Sequence, residues 1–265
     1  MTDLQTLRVA RGAAGVARVT MARAQVYNAF DETMIGELDR VFAALAEDAA
    51  VRVIVLAGDG RHFSAGADLQ WMQRASAASL DWNLADARRF AAMLGRIATC
   101  PKPTLARVQG SALGGGVGLA CVCDIAVAAD DARFAVSEAK FGILPAVIGP
   151  YLVNAVGPRQ ARRLALTTTR IGAAEAAAIG LVHQVVAGAG LDAAVDATVR
   201  ELLAGGPHAL REIKQLFARL EVGPVTDAVR ELTAQTIARV RGSDEAREGF
   251  AAFLGKRAAR WVAHD

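Results

Sequence analysis

Cysteine, histidine and surplus charge are all scarce in this chain. Its 265 residues hold 3 Cys and 4 His. Cys100, Cys121 and Cys123 make no disulfide framework of the kind that small secreted domains need. Cys121 and Cys123 lie in an apolar segment and read as small hydrophobes. His62, His183, His208 and His264 are scattered, with no pair at metal-ligand spacing, so no metal site is expected. Lys and Arg number 30 against 27 Asp and Glu, a net charge of +3. With no dense basic run interleaved with aromatics, that balance argues against a nucleic-acid partner. Long apolar runs are missing too: Asp or Gly breaks each stretch before membrane-spanning length. The opening MTDLQTLRVARG lacks the basic-then-apolar pattern of a signal peptide. A soluble, cytoplasmic protein without membrane contact is expected.

What the chain has is apolar residues, 53% of the total, enough for a large core or for one main domain with an appendage. Leu7 to Ala10 and Val16 to Met21 read as a hairpin. Asp31 is placed to cap a helix that shows Met34, Ile35, Leu38, Phe42 and Leu45 on one face. Val53 to Ala57 is apolar on both faces, the mark of a strand covered on both sides. A helix is expected over Asp86 to Ile97, stopped by Pro101 and Pro103, and a strand over Thr104 to Val108. The glycines follow directly in this reading, with helix from Leu119 and strands at Asp124 to Ala128 and at Phe134 to Val136. Recurrent strand–helix–strand order indicates an α/β fold. The last third reads as mostly helical, with a strand-like piece at His183 to Val186 and a break at Gly205-Gly206-Pro207. Residues 1–200 are expected to form the core and 201–265 a helical region.

Gly114, Gly115, Gly116 and Gly118 stand almost together. They are no P-loop, because no Lys-Ser/Thr follows, and they miss the dinucleotide spacing at Cys121. No Gly-x-Ser-x-Gly elbow exists. Glycines between a strand and a helix present backbone N–H groups, suited either to an anionic oxygen or to close packing. Ser64-Ala65-Gly66-Ala67-Asp68 is a second such turn. Two of these turns could pinch one oxygen.

Several motifs in order now carry a resemblance: Tyr27-Asn28-Ala29-Phe30, HFSAGADL from His62, Pro101-Lys102-Pro103, Gly110-x-Ala112-Leu113-Gly114-Gly115-Gly116, Cys123-Asp124-Ile125, Phe134-x-x-x-Glu138 and Lys256-Arg257-x-x-x-Trp261. Together they resemble the enoyl-CoA hydratase/isomerase (crotonase) family along nearly the whole chain, and its bacterial methylglutaconyl-CoA hydratase-like branch in particular. The resemblance implies a spiral of ββα units with a helical C-terminal trimerisation region, and a homo-oligomer, trimer or hexamer. It implies an acyl thioester of coenzyme A as substrate and no separate cofactor. It assigns the oxyanion donors to the N–H groups of Ala67 and Gly115, and coenzyme A to Gln25, Tyr27, Ala29, Ala65, Asp68 and Leu69, with Lys256 of a neighbouring subunit near its phosphates. Trp71, Met72, Gly118, Phe141 and Pro145 are the expected acyl-pocket residues.

The chain also departs from that family. Gly118 stands where two-glutamate hydratases carry their first carboxylate, so Glu138 alone is the expected catalytic acid–base. Phe134, Val136, Phe141 and Ile143 are the apolar residues expected to raise its pKa. Syn hydration of a 2-enoyl-CoA, with 3-methylglutaconyl-CoA as one substrate, leads this reading. Isomerisation of a 3-enoyl-CoA remains open, as does acyl-CoA binding without turnover. Arg107, Arg170 and Lys140 are the cations available for a second substrate carboxylate.

Overall fold

The computed structural model describes residues 4–262. The chain opens with β1 (Leu7–Arg11) and β2 (Val16–Met21), an antiparallel hairpin with Val9 opposite Val19. Next comes α1 (Glu32–Glu47), whose Asp31 N-cap accepts a hydrogen bond from Met34 N. After β3 (Val53–Gly58) come α2 (Leu69–Ala77) and α3 (Leu80–Ala98), then β4 (Thr104–Val108), β5 (Ser111–Leu113), α4 (Gly115–Val122), β6 (Ile125–Ala129) and β7 (Arg133–Ala135). The remainder is α5 (Gly149–Thr167), β8 (Ile171–Gly172), α6 (Ala173–Ala178), β9 (Gln184–Val186), α7 (Leu191–Ala204), α8 (Pro207–Phe217), α9 (Asp227–Arg241) and α10 (Asp244–Leu254).

Two sheets organise these elements. The larger has the order β1-β2-β3-β4-β6-β9 and is parallel from β2 onward; the smaller has the order β5-β7-β8. The alternation of β3 shows why its sequence is apolar throughout. Ile54 and Leu56 enter the main core with Phe42, Leu45, Leu94 and Ile97, while Val53 and Val55 pack on Leu191, Val195 and Val199 of α7.

Several expectations change in detail. α3 begins at Leu80 rather than Asp86, because Ser79 caps it by accepting from Trp82 N. β5 intervenes between β4 and the glycines and turns the chain into the second sheet. The following helix begins at Gly115, within the glycines, rather than at Leu119. β8 is too short for a sequence pattern to show. The division expected at residue 200 falls inside α7, whose end at Ala204 meets the Gly205-Gly206-Pro207 break.

Arg52 ties the C-terminal region to the core. Its guanidinium donates to the carbonyls of Leu203 (3.1 Å), Gly205 (2.7 Å) and Trp261 (2.5 Å), and Trp261 Nε1 donates to Ala204 O.

Candidate active site

Each glycine of the cluster faces a different neighbour. Gly114 adopts φ +50°, and a Cβ there would lie 3.1 Å from Glu138 Oε1. On Gly115 a Cβ would overlap the Phe30 ring; on Gly116 it would meet Ser64 O at 2.6 Å; on Gly118 it would overlap Ile148 Cγ2. The bare backbone thus lets α4 approach the glutamate, the Ser64 turn and the start of α5 together.

Gly115 is the first residue of α4, so its N–H has no acceptor one turn back. Ala67 leaves a free donor by a different route. It forms an isolated parallel bridge with Phe30, in which Phe30 N donates to Gly66 O (2.8 Å) and Asp68 N donates to Phe30 O (3.0 Å). The bridge uses the residues on either side of Ala67 and leaves its own N–H unpaired. Among the described residues, neither the Ala67 nor the Gly115 N–H finds a protein acceptor. The two turns meet at Gly66, where φ is +86° and a Cβ would lie 2.5 Å from Leu113 O and 3.4 Å from Gly115 N.

Asp68 holds this geometry from below. Its carboxylate accepts from Gln70 N (2.8 Å) and Trp71 N (3.3 Å), capping α2, and from Arg23 Nη2 (2.9 Å). Burial alone would raise its pKa, yet the two N–H groups and the guanidinium together hold it below the usual carboxylate value. Tyr27 and Asn28 both take left-handed backbone, at φ 55° and 54°. The fully buried Asn28 amide supports that turn by donating to Asp59 O and His62 O, 2.8 Å each.

Glu138 opens a short 3₁₀ turn after β7. Burial pushes its pKa up, and the backbone N–H groups of Glu138 and Ser137 pull it only partly back. Its Oε2 is buried without a hydrogen-bond partner among the described residues. A desolvated carboxylate with a free oxygen is a proton acceptor awaiting a donor.

Ala67, Gly115 and Glu138 line one cavity of about 550 Å³. Trp71, Met72, Phe141 and Pro145 line it as well, and so do Phe30, Phe90, Asn83, Ile143 and Ile148. Phe30 and Phe90 meet tilted, 5.2 Å between ring centroids, and Trp71 closes the cluster, giving one aromatic wall. Among the described residues, Glu138 is the only charged side chain in the lining. Among them, too, no group of three or more His, Cys, Asp or Glu is placed to hold a metal ion. No helix of the described residues is long and apolar enough to cross a membrane.

A model of the enoyl-CoA hydratase/isomerase family matches residues 11–264. The chain belongs to the enoyl-CoA hydratase/isomerase family. A crotonyl-CoA hydratase of Syntrophomonas wolfei is 34% identical over 248 residues, covering 91% of this chain and 92% of that one. Among solved structures, an enoyl-CoA hydratase from Shewanella pealeana superposes with a TM-score of 0.94 at 38% identity, covering 97% of this chain and 96% of that one. Pseudomonas aeruginosa AtuE gives a TM-score of 0.93 at 39% identity, covering 98% and 100%. The fold is the α/β crotonase-like fold, with a mixed sheet core and C-terminal helices, and the chemistry is that of this family in general terms.

The remaining site residues lie elsewhere. Gly118 sits outside the cavity lining, beneath Ile148. Gln25, Tyr27 and Leu69 are exposed, Ala65 is half-buried and Ala29 is buried. Lys256 is exposed just beyond α10 and does not line the cavity of its own chain. Phe134 and Val136 are buried away from it, so the apolar residues beside Glu138 that do line it are Phe141 and Ile143. Phe30, Asn83 and Phe90 were missed as lining residues. The helical spacing of Phe90 marked it as facing inward, but nothing in that spacing separates a core face from a cavity wall.

Proposed function

We propose that this chain is an enoyl-CoA hydratase that uses one carboxylate and two peptide N–H groups. The reading rests on one observation: a single cavity joins the unpaired donors of Ala67 and Gly115 to the desolvated, unpartnered Glu138. The thioester carbonyl oxygen sits between the two N–H groups, which favour it most when it becomes an enolate oxygen. Glu138, ionised, takes a proton from water as the water oxygen bonds to C3, and the π electrons move to the carbonyl oxygen. The same carboxyl then returns its proton to C2 as the enolate collapses. Water is consumed, Glu138 is restored, and H and OH have added on one face.

Coenzyme A runs along Gln25 to Ala29 and Ala65 to Leu69, where Tyr27 and Leu69 stand 57% and 75% exposed. The role of Asp68 in that strip is indirect, since its carboxylate already serves α2 and Arg23. Lys256 meets the phosphates from a second copy within a trimer or hexamer. The acyl group is uncharged: among the described residues the cavity holds no cation for a second carboxylate, and Arg107 is engaged by Asp192 at 2.7 and 3.0 Å. Arg170 and Lys140 do not line the cavity. These placements favour a simple 2-enoyl chain over 3-methylglutaconyl-CoA.

Isomerisation is the second reading, favoured by Ile148 standing where a second carboxylate would project from position 118. Incubation with crotonyl-CoA, 3-methylglutaconyl-CoA and 3-hexenoyl-CoA separates the readings. Loss of the conjugated-thioester absorbance from crotonyl-CoA is expected. Its appearance from 3-hexenoyl-CoA alone would overturn hydration, and turnover of none of the three would leave acyl-CoA binding as the function.

A further inference from the structure

Gly118 and Ile148 are fitted to each other. Gly118 is buried in α4 and is absent from the cavity lining, whereas Ile148 precedes α5, is 2% exposed and does line the cavity. A Cβ on Gly118 would overlap Ile148 Cγ2 and stand 3.0 Å from Ile148 Cβ, with Leu94 Cδ1 next at 3.9 Å. The isoleucine therefore lies between bare helix backbone and the cavity.

We infer that Ile148 is the specificity-determining residue for acyl-chain length, and that the missing side chain at Gly118 sets how far back from the cavity it can sit. The inference rests on the reading of this cavity as the acyl site. Close-packed interiors pass a volume change on to the nearest movable group. Shortening Ile148 opens space down to the Gly118 backbone and Leu94, lengthening the acyl channel. A methyl group added at Gly118 must instead drive Ile148 into the cavity and shorten it. One methylene in an apolar pocket changes discrimination by roughly 10- to 200-fold, so both changes are large enough to read.

The test is calorimetric binding of butyryl-, hexanoyl-, octanoyl- and decanoyl-CoA to the full chain and to I148A, I148V, G118A and the G118A/I148A double variant. Ratios of Kd between chains are compared, because a uniform loss of folded protein leaves them unchanged. I148A is expected to move the ratio about tenfold toward longer chains, and I148V to move it less in the same direction. G118A moves it toward butyryl-CoA. The double variant returns toward the wild-type ratio, because the shortened side chain at position 148 leaves room for the new methyl. Unchanged ratios, or the same direction of shift in I148A and G118A, would overturn the assignment while leaving the acyl-CoA reading intact. A wild-type chain that binds none of the four would overturn that reading and this inference with it.

Discussion

Glu138 combines two demands that oppose each other. As the proposed base it must be ionised, yet burial disfavours the charged form and raises its pKa above the ordinary 4.5. Activity should therefore decline as pH falls through that raised value, earlier than for a solvated glutamate, and the acidic limb of kcat/KM against pH measures it. E138Q should lower kcat by about 10²- to 10⁴-fold. Stability takes the other sign. Between the unfolded and folded pKa values the folded chain holds the extra proton, so stability from this group is full below the unfolded value and is lost as pH rises through the folded one. Thermal melts across that window should show the wild type losing ground relative to E138Q. Gly115 is a residue-scale test of another kind. A Cβ there overlaps Phe30, so G115A must displace either the ring or the donor, and a fall in kcat of about 10²- to 10³-fold is expected from steady-state kinetics. The sequence singled out Gly114 to Gly118 as needing bare backbone, but not for what. The need differs at each position and is set by residues distant in the chain: Glu138, Phe30, Ser64 and Ile148.

At the scale of elements, the three groups proposed for catalysis sit where a regular element begins. Gly115 starts α4, Ala67 precedes the cap of α2, and Glu138 starts a 3₁₀ turn. Asp68 joins the cap of α2 to Arg23, so D68A should cost about 2 kcal/mol in denaturant unfolding. It should also lower kcat about tenfold by loosening the neighbouring Ala67 N–H. Rescue of stability without rescue of kcat by D68N would separate capping from donor placement. Elements with strong periodicity or uniform burial were legible in the sequence: α1, β3, and β4 with its proline boundary. β5 and β8 were not: Ser111-Ala112-Leu113 runs straight into the glycines with no turn to set it apart, and β8 has only 2 residues, whereas β7, as short as β5, is marked by Phe134 and Val136. Their omission hid the second sheet, and with it the reason Gly114 lies against the turn that carries Glu138: Gly114 N donates to Ala135 O at the end of β7.

For the molecule as a whole, the C-terminal helices leave apolar surface uncovered. Phe250, Phe253 and Leu254 of α10 are all exposed, as are Ile213 and Phe217 of α8. Light scattering should give the mass of a trimer or hexamer for the wild type and a smaller species for F253D. If Lys256 reaches a neighbour's coenzyme A, that variant should raise KM severalfold while the chain remains folded by circular dichroism. Arg52 holds this region to the sheet through three backbone carbonyls, so dissociation need not unfold the core. Ala67 and Gly115 each offer an unpaired backbone N–H. Both donors are peptide N–H groups, which neither titrate between acid and alkaline pH nor react with reagents for thiols, amines or carboxylates. A carboxylate-selective label should silence Glu138 and leave the two proposed oxyanion donors intact. The modified protein should then still bind a stable enolate mimic whenever the attached group is small enough to leave the cavity open.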